Sequence, residues 1–442
     1  MLSFVKFIEE NILYEILALI WLLFIWEFYL SFRQISMMKR LTDLPKSVEG
    51  LMTKDVYEKA RSYYLDRLNF SNFREVYSKL LITGSLLVLC YQRFWQWSID
   101  IAKYFGMNHT NEILLSAICM MIINVIYDSI TLPLKIYDTF VLEERHGFNK
   151  ETPLFFAKDQ LLKFVVAQVI SLPLLCMMIW IIKNGGDYFF LYLWVFAVIV
   201  AIFMMILYPE VIAPLFDKYT PLPEGELKTK IEALAASVKF PLYKLFIVEG
   251  SKRSSHSNAY LYGFHKHKRI VLFDTLVKEY YKPAEGETEV KGCETDEVLA
   301  VLAHEIGHWK YNHTLKGFLL AQVSFSINTF VCAKLLDYKP MYDAFGFLDS
   351  QPTFIGFIIV TMYILIPLNT LIHFVSVVIG RKFEFQADRF AASLGHGESL
   401  KNSLIKLQKD NLGYPLYDEL YSGWHHSHPP LLERLEAIEK VD

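Results

Sequence analysis

Seven apolar stretches, each long enough to cross a lipid bilayer, constrain this chain of 442 residues more than any other feature. They cover about 11–31, 77–99, 112–134, 160–182, 188–208, 315–337 and 353–379. One helical crossing needs about 20 predominantly apolar residues, and a composition that is 53% hydrophobic agrees with repeated crossings. The sequence therefore predicts a mostly α-helical, polytopic membrane protein with seven transmembrane helices.

The basic residues between these stretches are distributed unevenly, and this bias predicts an orientation. The connections 32–76, 135–159 and 209–314 and the tail after residue 379 are rich in lysine and arginine, whereas the alternate connections contain few. Because cytoplasmic loops carry the excess of these residues, the first group is expected in the cytosol. The net charge of −3 gives no basic surface for nucleic acid, so the lipid bilayer and not a nucleic acid is the expected partner.

One helical segment carries candidate chemistry: His304-Glu305-Ile306-Gly307-His308, within the apolar pattern of residues 297–309. Side chains four residues apart stack on one face of an α-helix, so His304 and His308 can hold one metal ion between them. Glu305 follows the first ligand, where its carboxylate can take a proton from a metal-bound water. The pattern favours a metal-dependent hydrolase over the alternative of two surface histidines on an amphipathic helix.

A hydrolytic metal site usually has three protein ligands and one open position, so a third ligand is needed. Glu384 and Asp388 lie one helical turn apart after the last apolar stretch. Glu384 is the predicted third ligand, and Asp388 is predicted to accept a hydrogen bond from the far ring nitrogen of a ligand histidine. The alternative is a solvated charge cluster with Arg381 and Arg389. His313 is out of register for the same ion and is interpreted as a polar residue at a helix end.

Two histidines and one glutamate favour a single zinc ion per chain, although spacing alone leaves manganese, cobalt and iron open. Glu305 would then act as general base and later as proton donor to the leaving amine. The tail offers candidates that could stabilise a developing oxyanion, because Pro429 and Pro430 suit a helix start. His428 would lie at the positive end of that helix, with Arg434 about a turn and a half further on. A helix cap for His428 and a surface ion pair for Arg434 are the alternatives.

The apolar stretches divide the chain into four parts. Residues 1–208 are expected to form transmembrane helices 1–5 and residues 315–379 helices 6–7, while residues 209–314 and 380–442 are expected to form the two parts of a soluble domain that contains the candidate metal ligands. Short β-type runs at 245–248, 257–264 and 269–273 predict a small antiparallel sheet that ends before the metal helix.

Four motifs together resemble the type I CAAX prenyl proteases, the membrane zinc endopeptidases of animals and fungi. They are SSHSNAY at 254–260, HEIGHW at 304–309, FEFQAD at 383–388 and HPPLLER at 428–434. The similarity extends over nearly the whole chain, including EERHGFN at 143–149 and APLFDK at 213–218. Because the four motifs occur in the order found in that family, the resemblance is highly specific.

The resemblance implies seven helices around a large water-filled chamber, with a gluzincin-like zinc protease domain on the cytosolic side. It implies one zinc ion near the cytosolic end of the chamber, bound by His304, His308 and Glu384. Glu305 would be the catalytic base. The family resides in the endoplasmic reticulum and the inner nuclear membrane, and the same location is expected here.

The resemblance also implies a substrate. Asn258 and Ala259 would bind the substrate backbone at the edge of a strand, and His428 and Arg434 would help to fix the substrate or the transition state. Enzymes of the family remove the last three residues of farnesylated CAAX proteins, and some make a second cut upstream. A prenylated CAAX protein is therefore the expected substrate.

Two alternatives remain open from the sequence. A membrane quality-control metalloprotease would share the zinc chemistry but cleave damaged membrane proteins. A channel, transporter or scaffold would use the metal for structure only, and would close its fourth coordination position with a protein ligand.

Overall fold

The computed structural model of the chain describes residues 2–263, 267–281 and 291–440, with side chains from residue 11 onward. The amino-terminal half is built of long helices: α1 Leu2–Arg40, α2 Lys54–Leu87, α3 Cys90–Tyr104, α4 Glu112–Tyr137, α5 Pro153–Asn184 and α6 Phe189–Leu207. Capping side chains set where two of them begin. Asn111 Oδ1 accepts a hydrogen bond from the N–H of Ile113 at the start of α4, and Thr152 Oγ1 accepts one from Phe155 at the start of α5.

Five helical stretches in the described part of the chain are long and apolar enough to cross a membrane: Asn11–Arg40, Glu112–Glu143, Pro153–Asn184, Gly186–Leu215 and His313–Leu335. There are six if the bent pair Thr353–Ile364 and Ile366–Asp410, whose axes differ by 57°, counts as one span. The chain is therefore a mostly helical, multi-pass membrane protein, as the composition predicts.

The predicted span at 77–99 is not one helix. α2 ends at Leu87 and α3 begins at Cys90, and Leu89 between them has a left-handed backbone with φ 54°. A left-handed residue cannot continue an α-helix, so the chain turns here. Hydropathy misses this break because Val88 and Leu89 are as apolar as their neighbours. Five or six crossings are supported within the described residues, and the predicted seven are not confirmed.

The soluble part begins with strand β1 Tyr219–Pro221 and helix α7 Glu226–Ser237, followed by strands β2 Leu242–Val248, β3 Ala259–Tyr262 and β4 Lys268–Phe273. The four strands form one sheet in the order β1-β2-β4-β3. β1 and β3 run antiparallel to their neighbours, whereas β2 and β4 are parallel, with Phe246 opposite Val271.

The prediction of an antiparallel sheet was wrong at the β2–β4 pair. β3 takes the outer position beyond β4, so the chain crosses over and enters β4 in the same direction as β2. Alternation of apolar residues does not distinguish the two directions, because side chains repeat every two residues in both. Residue 264, the predicted end of the second strand, lies outside the described residues.

The remaining helices are α8 Thr295–Lys310, α9 His313–Leu335, α10 Lys339–Ala344, α11 Thr353–Ile359, α12 Ile366–Ala391, α13 Gly397–Asp410, α14 Glu419–His425 and α15 Leu431–Glu439. A soluble core surrounds α8, where Leu302 is fully buried together with Ile231 of α7, Ile270 of β4 and Ile438 of α15. A separate core joins the membrane helices. α8 thus lies inside the soluble core, immediately before the membrane helix α9.

Candidate metal centre

α8 presents two imidazoles on one side. The helix begins with a capping box, in which the side chains of Glu294 and Glu297 each accept a hydrogen bond from the backbone N–H of the other. Burial of its apolar side in the soluble core fixes the rotation of the helix. His304 and His308 are therefore one turn apart, with their Nε2 atoms separated by 3.1 Å.

α12 approaches α8 at a glycine. A Cβ atom on Gly307 would lie 3.0 Å from the Cα of Ala387 and 3.2 Å from its carbonyl oxygen, so only a hydrogen atom fits. This close contact brings Glu384 to both histidines. Glu384 Oε1 lies 3.3 Å from His308 Nε2, and Oε2 lies 3.5 Å from His304 Nε2.

The arrangement of these ligand atoms fits one divalent cation. Nitrogen and oxygen ligands about 2.0–2.1 Å from a tetrahedral zinc ion would be separated by about 3.3 Å. The two imidazole Nε2 atoms are 3.1 Å apart, and one ligand atom from each of the three residues lies within 4.8 Å of the other two. Glu384 is buried, and its carboxylate lies within 3.5 Å of imidazole nitrogens of His304, His308 and His428, so a cation at this point would have nitrogen and oxygen ligands within reach. Two imidazoles and one carboxylate are also the ligand types that zinc prefers.

Asp388 and Arg434 support His304 on the side away from the centre. His304 Nδ1 donates to Asp388 Oδ1 at 2.8 Å, and Arg434 donates to both Asp388 oxygens from Nε at 2.8 Å and Nη2 at 2.6 Å. Burial disfavours a charged His304, but hydrogen bonds to Asp388 and Glu384 outweigh it and raise the His304 pKa to about 9. The surroundings of this imidazole thus favour positive charge, which a bound cation supplies.

His313 and Gln386 support the second imidazole. His308 Nδ1 lies 2.9 Å from His313 Nδ1, and His313 Nε2 lies 2.9 Å from Gln386 Oε1. When His308 Nε2 binds a cation, His308 Nδ1 donates to His313, and His313 Nε2 donates to Gln386. The ring of Phe383 stacks on His313 with centroids 4.0 Å apart and planes 6° apart. His313 is buried and holds the orientation of His308.

Two further predicted residues lie beside the centre. Glu305 follows His304 on α8, and burial raises its pKa above the ordinary glutamate value, while the two nearby imidazoles oppose this rise. His428 precedes α15, and its Nδ1 lies 3.0 Å from Glu384 Oε2. The His428 side chain is 73% exposed, so it borders the open side of the centre.

Asn258 and Ala259 lie at the start of β3. Ala259 pairs with Leu272 of β4, and the N–H of Phe273 donates to the Asn258 carbonyl at 3.1 Å. The other edge of β3 has no partner strand within the described residues, and β3 packs along α8. Neither Asn258 nor Ala259 forms a hydrogen bond with the three ligand residues in the part of the chain that is described. The structure thus brings a free strand edge to the metal helix.

Comparison with known proteins gives two family matches. Residues 34–218 match a family model described as the CAAX prenyl protease N-terminal region with five membrane helices, and residues 221–442 match peptidase family M48. The mouse and human proteins named CAAX prenyl protease 1 homolog are each 44% identical over 98% of this chain and 96% of their own lengths. A crystal structure of S. mikatae Ste24p superimposes with a TM-score of 0.88 at 34% identity, covering 96% of this chain and 98% of that one.

The chain belongs to the CAAX prenyl protease family.

Family membership confirms the resemblance predicted from the four motifs and makes the chain a membrane metalloendopeptidase of peptidase family M48. It also argues against a channel or scaffold with a purely structural metal.

Sequence reasoning missed His313 and Gln386 as neighbours of a ligand. Asn312 has a left-handed backbone with φ 55°, so α8 ends and α9 begins at His313, which turns back over His308. If the helix of His308 is assumed to continue through residue 313, the count of residues per turn places His313 on the wrong side of the helix. The available signal was Asn312 itself, because asparagine is one of the few residues that tolerate this backbone conformation.

Proposed function

We propose that the chain is a zinc-dependent endopeptidase that removes the C-terminal tripeptide from farnesylated CAAX proteins, with a second upstream cut in some substrates. The names of the mouse and human relatives support this substrate class. The observation that carries the proposal is the convergence of His304 and His308 of α8 with Glu384 of α12, whose ligand atoms lie within 4.8 Å of one another, next to the membrane helix α9.

A zinc ion held by His304, His308 and Glu384 supplies Lewis acidity, which activates water and polarises the scissile carbonyl. Glu305 takes a proton from the attacking water on its carboxylate and passes it to the nitrogen of the leaving amine. Its raised pKa suits both steps, since the group must accept and then release a proton.

Two residues of the tail are proposed to act on the developing negative charge. His428, exposed beside Glu384, can donate to the substrate oxyanion or carbonyl from its imidazole. Arg434 uses Nε and Nη2 on Asp388 and leaves Nη1 directed to the centre, 3.8 Å from Glu384 Oε2. Arg434 thereby orients Asp388 and His304 as well as adding positive charge.

The free edge of β3 is the proposed binding site for the peptide. An extended peptide can add a strand there through main-chain hydrogen bonds near Asn258 and Ala259, next to α8. Pairing of this kind would position the scissile bond without a requirement for particular side chains.

The proposed membrane arrangement keeps the seven crossings, with α2 and α3 together forming the one that is not a single apolar helix, and a water-filled chamber between them. Residues 1–208 and 315–379 would make up the membrane part, and residues 209–314 and 380–442 the zinc protease domain. The bias of basic residues supports a cytosolic or nucleoplasmic protease domain. The proposed location is the endoplasmic reticulum and inner nuclear membrane, as the resemblance of the four motifs implies.

The test compares purified protein on a farnesylated CAAX peptide and on its non-prenylated twin. We expect prenyl-dependent cleavage that is sensitive to chelators and is abolished in Glu305→Gln, which keeps its metal because Glu305 is not a ligand. Equal cleavage of both peptides would instead favour the alternative hypothesis of a membrane quality-control metalloprotease. Full activity of Glu305→Gln would contradict the proposed chemistry.

A further inference from the structure

A cleft of about 580 Å³ lies between α9 and α12, next to the metal centre. We name it the α9–α12 cleft and define it by residues of the two facing helices: Gly317, Ala321 and Asn328 of α9 and Ile372, Ser376 and Phe383 of α12. The α9 residues that line the cleft recur about every three or four positions from His313 to Asn328, over about 22 Å of helix. The cleft is thus a groove that runs along a membrane helix.

Two of the polar residues that line the cleft, Asn328 and Ser376, donate hydrogen bonds within their own helices. Asn328 Nδ2 donates to the carbonyl of Ser324 at 2.8 Å, and Ser376 Oγ donates to the carbonyl of Ile372 at 2.8 Å. Large apolar side chains, among them Leu320, Phe325 and Ile379, form most of the rest, and Gly317 and Ala321 are exposed, so the groove is open along one side. A mostly apolar wall suits an apolar occupant.

The inner end of the cleft meets the metal centre. Phe383 and His313 line it there, stacked on each other. His313 contacts the ligand His308 at 2.9 Å, and Phe383 directly precedes the ligand Glu384. An occupant of the cleft would therefore end against the stacked rings of His313 and Phe383, beside the residues of the metal centre.

We propose that the α9–α12 cleft binds the prenyl chain of the substrate. The inference rests on the proposed function, in which the tripeptide is cut off directly after the prenylated cysteine. The thioether then belongs to the residue that supplies the scissile carbonyl, so the apolar chain must lie close to the metal centre. The cleft is an apolar groove beside that centre, and its volume lies within the ordinary range for small-molecule sites, about 300–1,000 Å³.

The first experiment fills the cleft. Ala321→Phe places a ring in the groove, whereas the matched control Val323→Phe changes an exposed residue of the same helix that does not line it. Peptides that carry a 15-carbon chain, a 10-carbon chain or no chain are compared. We expect Ala321→Phe to raise KM for the 15-carbon peptide about tenfold and for the 10-carbon peptide less. Val323→Phe should match the unmodified protein on all three peptides.

Failure of this inference and failure of the proposed function give different results. If the unmodified protein does not prefer prenylated peptides, the proposed function fails. If it prefers them and Ala321→Phe keeps the same preference between the 10- and 15-carbon chains, the cleft is not the prenyl site. An equal loss on all three peptides would likewise overturn the assignment, because a specific site must discriminate by chain length.

A second measurement does not depend on the folding of a variant. A peptide whose prenyl chain ends in a photoreactive group is cross-linked to the unmodified, metal-loaded protein, and the labelled segments are identified by mass spectrometry. We expect labels within 317–328 and 372–383. Labels spread over all lipid-facing helices would mean that the cleft holds only lipid, and labels confined to another site would also refute the proposal.

Discussion

His313 Nδ1 lies 2.9 Å from His308 Nδ1, and this contact assigns the proton positions on both rings. The ring nitrogen of His308 that faces the cation must be unprotonated, so its other nitrogen is the donor. His313 is then the acceptor and donates in turn to Gln386, which has a fixed carbonyl to receive the bond. Two neutral side chains, those of His313 and Gln386, support His308. The charged side chains of Asp388 and Arg434 support His304.

Removal of His313 should weaken metal binding without removing a ligand. His313→Ala leaves His308 Nδ1 without its acceptor, and loss of such outer partners typically costs about 10–100-fold in metal affinity. Chelator competition followed by measurement of bound zinc checks this. His109→Ala, which changes an exposed loop histidine, is the control and should bind zinc normally. Unchanged zinc affinity in His313→Ala would show that the contact does not support the ligand.

Gly307→Ala should separate α8 from α12. The added methyl group would meet the Ala387 backbone at 3.0 Å, and overpacking of this kind costs about 1–3 kcal/mol in the free energy of unfolding. Gly84→Ala is the matched control, because a Cβ at Gly84 within α2 meets nothing within 4 Å and alanine gains about 0.5–1 kcal/mol in a helix interior. Both variants are compared with the unmodified protein by thermal unfolding in detergent and by zinc content. A Gly307→Ala protein as stable as Gly84→Ala would contradict the close packing.

Asp388 and Arg434 should behave as a pair in a double-mutant cycle. Asp388→Leu leaves Arg434 buried without its partner, which costs about 3–5 kcal/mol in stability. Arg434→Met added to Asp388→Leu removes the unpaired charge and should recover most of that loss. Zinc affinity should stay low in the double variant, since His304 still lacks its acceptor. Recovery of both stability and zinc affinity would show that the pair does not orient His304.

Glu143 should affect peptide binding more than chemistry. It accepts hydrogen bonds from Tyr63 at 2.8 Å and Arg67 at 2.7 Å, and it lies 3.5 Å from His256, two residues before Asn258. Hydrogen bonds to a charged group contribute about 1.5–3 kcal/mol, so Glu143→Gln should loosen the start of β3 and raise KM about tenfold with kcat little changed.

The control for Glu143 is Glu144→Gln, which changes the neighbouring residue, exposed and bonded to Asn149. Zinc content should be normal in both variants. A Glu143→Gln protein that loses kcat and keeps KM would place Glu143 in the chemistry instead of the positioning of β3.

Asp418 should make the contact between α14 and α1 dependent on pH. Its carboxylate accepts from Arg33 Nη2 at 2.8 Å and caps α14 through the N–H of Tyr421, and Arg33 holds the Asp418 pKa below its ordinary value of 3.8. A carboxylate with a lowered pKa contributes stability above the ordinary value, and this contribution is lost as pH falls through the folded pKa.

The measurement compares unfolding temperatures at pH 7 and below pH 4. Asp418→Asn keeps the N-cap, because asparagine caps a helix as well as aspartate does, but it removes the ion pair with Arg33 and should therefore be less stable at neutral pH by up to about 1 kcal/mol. The difference should shrink in acid. Asp43→Asn, which changes a mostly exposed carboxylate paired with Lys54, should have no comparable effect. A difference that does not depend on pH would rule out the ionic contribution.

Local periodicity was sufficient for part of the site. The i, i+4 spacing of His304 and His308 and of Glu384 and Asp388 fixes which side chains share a helix face, and the structure places these residues together as predicted. The lengths of the apolar stretches likewise identified a helical membrane protein. These features depend only on contacts within a turn or two.

The remaining features depend on how separate segments meet. The direction of β4 relative to β2, the break at Leu89 and the return of His313 over His308 each follow from a backbone turn that apolar patterning does not report. The bidentate contact of Arg434 with Asp388 joins residues 46 positions apart and has no local pattern. The cleft between α9 and α12 is likewise a property of the packed helices.

The proposed cation ligands come from α8 and α12, with three helices between them in the chain, and Arg434 follows later on α15. During synthesis, a ribosome-bound chain that has inserted only as far as α9 holds two histidines but no carboxylate to complete their set. Hydrolytic capacity is thus postponed until the final membrane segments are in place, and an unfinished polypeptide is protected from its own active centre by the order of its helices.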